Sequence, residues 1–381
     1  MAAEAPEDLA LQPPPVIYAP GPQYQSVARS YQGIPTVERT PEGRLWAAWY
    51  SGGPGEGPGN YVPLVTSADE GETWTEPVLV VAPPAPCRAA DPCLWLDPRG
   101  RLWLFCMQSE GWFDGRAGVW ALVTTQPEAA APIFSAPRRL CHGVMLNKPL
   151  VLSSGEWVLP AALWNREPFR PELDAERFSN LIVSNDEGAT WTRRGGADVP
   201  DRSFDEHMIL ERHGGSLWML VRTHPGIGEA ISRDGGHTWE GARPDALPGP
   251  GSRFHLRRLQ SGRVLLISHD MQLAEVNGVR QRSHLTAWVS DDEGATWTGG
   301  LLLDERQNVS YPDATQAPEG RIYVIYDHER GDSQNLPHPD RAILMAVFTE
   351  EDILAGACVS QDCRLRVLVN RATASQEESK I

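Results

Sequence analysis

The 381-residue sequence predicts an all-β domain, a six-bladed β-propeller. Three observations predict it. A glycine turn opening into an apolar run recurs six times, an S-x-D-x-G-x-T-W box recurs four times, and little of the chain carries helical periodicity. The glycine turns read Glu42-Gly43-Arg44-Leu45-Trp46, Arg99-Gly100-Arg101-Leu102-Trp103, Ser154-Gly155-Glu156-Trp157-Val158, Gly214-Gly215-Ser216-Leu217-Trp218, Ser261-Gly262-Arg263-Val264-Leu265 and Glu319-Gly320-Arg321-Ile322-Tyr323. Glycine accepts the positive φ of a tight hairpin, and Trp, Leu, Val and Ile fit a half-buried strand. Their spacing, roughly 47 to 60 residues, is the length of one four-stranded blade.

The boxes follow the turns, at Ser67-Asp69-Gly71-Thr73-Trp74, Ser184-Asp186-Gly188-Thr190-Trp191, Ser232-Asp234-Gly236-Thr238-Trp239 and Ser290-Asp292-Gly294-Thr296-Trp297. The stretch from Leu122 to Pro137 reads as a decayed copy of Leu64 to Pro77, and Ala346 to Thr349 stands in the corresponding place after the sixth turn. In such a box the Ser and Asp side chains bond turn amides, glycine supplies the unusual φ, and Trp packs between neighbouring sheets. The boxes specify a fold and carry no chemistry of their own. The division expected is a flexible extension over residues 1–15, the propeller over 16–371 and a disordered tail over 372–381.

Composition narrows the partners. Apolar residues make up 41% and charged residues 22%, as in a globular chain with a sizeable core. No apolar run approaches the roughly 20 residues of a membrane-spanning helix. With 34 basic against 50 acidic residues the net charge is -16, which repels phosphate backbones and anionic lipid. Neither nucleic acid nor membrane is an expected partner, and an anionic ligand needs a local basic pocket. Met1 to Gln23 lacks the basic and apolar regions of a secretory leader, so a cytoplasmic location is expected unless a leader has been removed. The six cysteines show no CxxC spacing and read as buried thiols; Cys358 and Cys363 are the pair an oxidising compartment would join. The ten histidines show no HExxH pattern, so neither a metal nor a cofactor is expected.

Aligning the repeats locates a candidate site. About seven to ten residues before each turn glycine lies the start of the preceding strand, and equivalent strand ends ring the central channel of a propeller. Those positions hold Gln32-Gly33, Arg88 with Asp91, Asn147-Lys148, Asp205-Glu206-His207, Arg253 with His255, and Tyr311 with Asp313. Strand starts that face a core should be apolar, so unlike charges converging here predict a polar-ligand pocket at one mouth. Beyond the turns, strand ends carry Gln108, Asn165-Arg166, Arg222-Thr223-His224, His269-Asp270 and Asp327-His328-Glu329.

The boxes resemble the Asp boxes, or BNR repeats, of the sialidase (neuraminidase) superfamily, over nearly the whole chain. That resemblance implies a glycosidase with a tyrosine nucleophile, a glutamate as its base, an arginine triad gripping the substrate carboxylate and an aspartate as acid/base. A neutral phenol suits an anomeric centre beside a carboxylate, which would repel an anionic nucleophile, and the planar arginine fork suits a carboxylate. Ser310-Tyr311-Pro312-Asp313 resembles the nucleophile motif and implies Tyr311; Phe204-Asp205-Glu206-His207 implies Glu206. Arg222 and Arg282 match two of the triad arginines.

Two motifs depart from the family. Tyr31-Gln32-Gly33-Ile34-Pro35 has Gly33 where the remaining arginine belongs, and the loop Ser51 to Tyr61 has no aspartate, only Glu56. Lys148, Arg253 or Arg88 is the candidate for the missing charge, with Glu56 or Asp91 as general acid; His207, His255 and Asp313 complete the set of substrate-binding candidates. The expected partner is thus a carbohydrate, one carrying an acidic sugar. Three other readings stay open: a lyase using Tyr311, His207 or His255 as base beside a uronate carboxylate; an inverting hydrolase pairing Glu206 with Asp91 or Asp313 across roughly 6.5–9.5 Å; and a non-catalytic glycan-binding propeller.

Overall fold

The computed structural model describes residues 8–52, 55–330 and 340–374. Residues 1–7 of the expected extension, Gly53 and Pro54 of the glycine-rich loop, His338 and residues 375–381 of the expected tail lie outside them. Six antiparallel sheets of four or five strands follow one another along the chain, each with four strands paired in chain order, and a two-stranded sheet, Glu275–Val276 with Val279–Arg280, lies between the second and third strands of the fifth. Blade 1 comprises Gln32–Arg39, Leu45–Ser51, Val62–Ser67 and Leu79–Val81; blade 2, Cys87–Leu96, Leu102–Glu110, Gly118–Thr124 and Arg138–His142; blade 3, Leu150–Val151, Trp157–Ala162, Ser179–Ser184 and Thr192–Ala197. Blade 4 comprises Arg202–Glu211, Leu217–Thr223, Gly226–Ser232 and Glu240–Pro248; blade 5, His255–Arg258, Val264–His269, Leu285–Ser290 and Thr298–Asp304; blade 6, Val309–Gln316, Ile322–His328, Ala342–Phe348 and Arg364–Arg371. The chain is a six-bladed β-propeller, and each glycine turn joins the first and second strands of one blade.

The second strands are buried throughout, whereas the fourth strand of blade 4 is mostly exposed. Apolar packing therefore runs from blade to blade. Val37, Leu45, Trp49 and Val65 of blade 1 meet Tyr323, Ile325, Ile343 and Met345 of blade 6 in one cluster. The boxes sit at these contacts. Asp186 Oδ1 accepts from the Thr190 amide at 2.8 Å and Oδ2 from its hydroxyl at 2.6 Å, while Ser184 Oγ accepts from the Gly188 amide at 2.8 Å. The other three boxes repeat this pattern. The box glycine is required twice over. Its φ is positive, and a Cβ on Gly188 would lie 2.7 Å from Trp103 and one on Gly236 2.1 Å from Leu181, both in the preceding blade.

Among the described residues no strand is exchanged between the first and last blades. Val16–Tyr18 pairs with Leu79–Val81 and so makes a fifth, outer strand of blade 1. Polar groups close the ring instead. The Gln32 amide donates to Arg330 O at 3.1 Å, the Ile34 amide to Asp327 Oδ2 at 2.8 Å, and Thr36 Oγ1 to Asp313 Oδ2 at 2.7 Å. Outside this seam two segments clasp: the Thr373 and Ala374 amides donate to Ser26 O and Arg29 O, each at 3.0 Å, and Arg29 Nη2 to Asn370 Oδ1 at 2.6 Å. At the other end, residues 8–15 are held in place where a flexible extension was expected. Gln108 Nε2 donates to Ala10 O at 2.9 Å and to Gln12 O at 2.8 Å, and Asp8 pairs with Arg116. Cys358 and Cys363 form a disulfide; Cys87, Cys93 and Cys106 are buried free thiols.

Candidate active site

A cavity of about 710 Å³ opens at one mouth of the ring, lined from all six blades. What builds it is a set of irregularities in the innermost strands. The register of the first strand slips between Gly33 and Thr36, Ala90 and Cys93, Asp205 and Met208, and Ser310 and Asp313. Within those slips Ile34, Asp91, Asp205, Glu206 and Tyr311 adopt left-handed φ values of 43° to 58°. A bulge spends its extra residue on re-aiming a side chain, and non-glycine residues held at positive φ concentrate at functional sites. Side-chain anchors fix the bulges. Asn147 Nδ2 donates to Glu206 O at 2.7 Å and His207 O at 3.0 Å, and Ser310 Oγ donates to Asp327 Oδ1 at 2.7 Å.

Tyr311, Glu206 and Arg222 meet in one cluster. The Tyr311 hydroxyl donates to Glu206 Oε1 at 2.8 Å; Arg222 Nη1 donates to that same carboxylate oxygen at 2.6 Å and to the phenol oxygen at 3.0 Å. All three are buried, and Glu206 Oε2 has no hydrogen-bond partner among the described residues. Burial and the Glu206 charge push the phenol pKa up to about 12, against the opposing pull of Arg222, Arg282 and Arg330. Arg282 lies 5.5 Å and Arg330 4.8 Å from the Tyr311 ring centre. Arg282 has no carboxylate within 4 Å among the described residues, and its burial lowers its pKa.

Arg330 was missed by sequence reasoning, which singled out Asp327, His328 and Glu329 at the end of this strand and stopped one residue short. Its side chain runs through the space that Gly33 leaves empty: a Cβ on Gly33 would lie 2.2 Å from Arg330 Cδ and 2.6 Å from Cγ. The departure at Gly33 and the presence of Arg330 are thus one steric fact. Three guanidinium groups surround Tyr311 after all, and neither Lys148 nor Arg253 supplies the third.

The two candidate acids differ in charge. Glu56 Oε1 accepts from Arg330 Nη1 at 3.1 Å and from the Tyr31 hydroxyl at 3.2 Å. Burial alone would raise its pKa, but Arg330 and Arg88, with hydrogen bonds from Tyr50 and Tyr31, hold it below the ordinary 4.5. Asp91 is raised to about 7, chiefly by burial and further by Glu56 and Glu206, with Arg88 opposing. Trp112, Trp164 and Phe204 pack edge to face or tilted into an aromatic wall of the cavity.

Five residues expected in the pocket do not line it: Lys148, Arg253, His207, His255 and Asp313. Asp313 sits two residues beyond Tyr311, just past the register slip, and is fully buried outside the cavity lining. There it lies 3.1 Å from Lys148 Nζ, 3.5 Å from Arg253 Nη2 and 3.4 Å from His255 Nδ1, forming a buried polar plug beneath the cavity. The inner strands of blades 3 and 5 start later, at Leu150 and His255, which carries their polar starts to this depth. Arg253 spends its donors on Asn147 Oδ1 at 2.7 Å and Leu146 O at 2.8 Å, so it positions the Glu206 bulge from below. His207 alternates away from Glu206 and meets Asn180 O at 2.8 Å.

Fold and site together define a propeller whose bulged inner strands gather arginines and carboxyl groups around a tyrosine at the axial mouth. Residues 14–324 match the BNR repeat-like domain, and the chain belongs to that family. Among solved structures it is similar to the intramolecular trans-sialidase from Ruminococcus gnavus in complex with oseltamivir carboxylate, with a TM-score of 0.66 at 15% identity over 92% of this chain and 99% of that one. A protein of unknown function from Dyadobacter fermentans gives 0.63 at 19% identity over 88% and 98%. An α-L-arabinanase from Penicillium chrysogenum gives 0.57 at 14% over 90% and 99%. At these identities the likeness is one of fold. No curated protein sequence matches the chain significantly.

Proposed function

We propose that the protein is a retaining glycosidase of sialidase-like architecture that cleaves an acidic sugar from a glycan. The observation that carries this is the hydrogen bond from Tyr311 to Glu206 at 2.8 Å, with Arg222 on both oxygens and Arg282 and Arg330 beside the ring. Arg222, Arg282 and Arg330 hold the sugar carboxylate. The Tyr311 oxygen attacks the anomeric carbon while Glu206 takes the phenol proton, and Asp91 delivers its proton to the departing glycosidic oxygen. Water then attacks the anomeric carbon of the glycosyl-tyrosine, giving its proton to Asp91, and Glu206 returns the phenol proton. Arg222 stabilises phenolate character on Tyr311 in both steps.

A proton donor must be protonated near neutrality, which favours Asp91, raised to about 7, over Glu56, held ionised by Arg330. Glu56 then acts as a positioning residue for Arg330. Replacing Tyr311 with Phe should cost at least about 10³-fold in turnover with an unchanged unfolding midpoint, measured on a panel of chromogenic acidic glycosides that includes a sialoside. Full activity in that variant would eliminate the mechanism.

A further inference from the structure

Five guanidinium groups line the cavity, from Arg88, Arg166, Arg222, Arg282 and Arg330. Two of them meet carboxylates there, Arg222 with Glu206 and Arg330 with Glu56. Arg88, Arg166 and Arg282 have no carboxylate within 4 Å among the described residues. They occupy different walls. Arg282 precedes the third strand of blade 5 and faces Tyr311 of blade 6. Arg88 lies on the first strand of blade 2 and Arg166 just beyond the second strand of blade 3. In a closed ring of six, blades 2 and 3 face blades 5 and 6 across the axis. One sugar carboxylate gripped at Tyr311 leaves Arg166 without an acidic partner within 4 Å among the described residues, and leaves Arg88 with only the nearby charges of Glu56 and Asp91.

That wall is built for an anion. Arg88 and Arg166 lie 5.3 Å and 4.6 Å from the Trp112 ring centre, and Arg166 lies 5.2 Å from that of Phe204. A guanidinium laid on an aromatic face is held in orientation and keeps the donors on its edge for a planar or tetrahedral oxyanion. Among the described residues the Nε and Nη1 atoms of Arg88 are buried without a hydrogen-bond partner. Buried donors left unsatisfied in a polar pocket call for a ligand group.

We infer that Arg88 and Arg166 on Trp112 form a second anion subsite, and that the substrate is an acidic glycan bearing another negative group across the ring from its first carboxylate. This rests on the glycosidase reading above and adds the substrate class: a sulfate ester or a second carboxylate supplies the same oxyanion chemistry.

Calorimetric titration of the full chain tests it with three probes at low salt: methyl glucuronide, the same glucuronide carrying a sulfate ester, and digalacturonate. At least one of the two dianions should bind about tenfold or more tightly than the monoanion, and which one does separates sulfate from carboxylate. In Arg166→Gln that preference should fall to about threefold or less, and Arg166→Lys, which keeps the charge, should retain part of it. Equal affinity for all three probes, binding of none of them, or a preference undiminished in Arg166→Gln overturns the inference. Because the readout is binding, it fails independently of the mechanism: an active Tyr311→Phe enzyme removes the nucleophile and leaves the preference standing.

Discussion

Asp91 is the residue on which pH acts most directly. Its pKa of about 7 has a cause in place: a left-handed bulge buries the carboxyl between Arg88 on one side and Glu56 and Glu206 on the other. As general acid it must be protonated, so kcat/KM should fall as pH rises through about 7, and Asp91→Asn should abolish that limb together with most of the turnover. Stability moves the opposite way in the variant. A carboxyl whose folded pKa is raised keeps its proton on folding between its ordinary 3.8 and about 7, so ionising it costs stability as pH rises through that window. Asp91→Asn should therefore gain roughly 2–4 kcal/mol at pH 8 and little at pH 4, by urea denaturation. Tyr311, Glu206, Arg222 and Arg282 were legible in sequence because each sits in a short motif. Arg330 was not: nothing in its neighbours marks it, and its position is comprehensible only beside a glycine about 300 residues away in the chain that comes into contact by ring closure.

Elements behave more regularly than residues. The six glycine turns and four boxes were legible because their requirements are local: a positive φ, a Ser and an Asp within reach of turn amides, a Trp at a fixed offset. The box glycine also answers to a neighbour that sequence does not show. Gly236→Ala places a methyl group 2.1 Å from Leu181 at a φ of 96°, and should cost about 2–4 kcal/mol in chemical denaturation while leaving the axial pocket's ligand affinity in place. The bulges were the illegible elements. A strand that slips by a residue has no distinct composition, so counting back from a turn located the right strands and misjudged the depth, setting Asp313, Arg253, Lys148, His207 and His255 in the pocket rather than below or beside it.

On the scale of the molecule, blade number was legible from repeat spacing, whereas the axial plug was not, since its members come from four separate segments. Asp313 is its hub: it accepts from Thr36 and the Val37 amide and neighbours Lys148, Arg253 and His255. The Lys148 and Arg253 charges, with the His255 hydrogen bond, outweigh its burial and hold its carboxyl far below the ordinary 3.8. Asp313→Ala removes the acceptor and leaves buried cations short of charge, and should cost about 3–5 kcal/mol in denaturant unfolding.

The same ring is buckled by side chains and by two segments, 26–30 and 370–374, with no sheet shared between first and last blades among the described residues. Residues 26–30 and 370–374 are already neighbours outside the toroid. A linker long enough to run from residue 374 across blade 1 to Asp8 beside Arg116 of blade 2, with new termini cut between Ala197 and Arg202, would yield a circular permutant in which every blade remains a single uninterrupted stretch of polypeptide. A propeller sealed by a traded strand would have one sheet divided between its two ends.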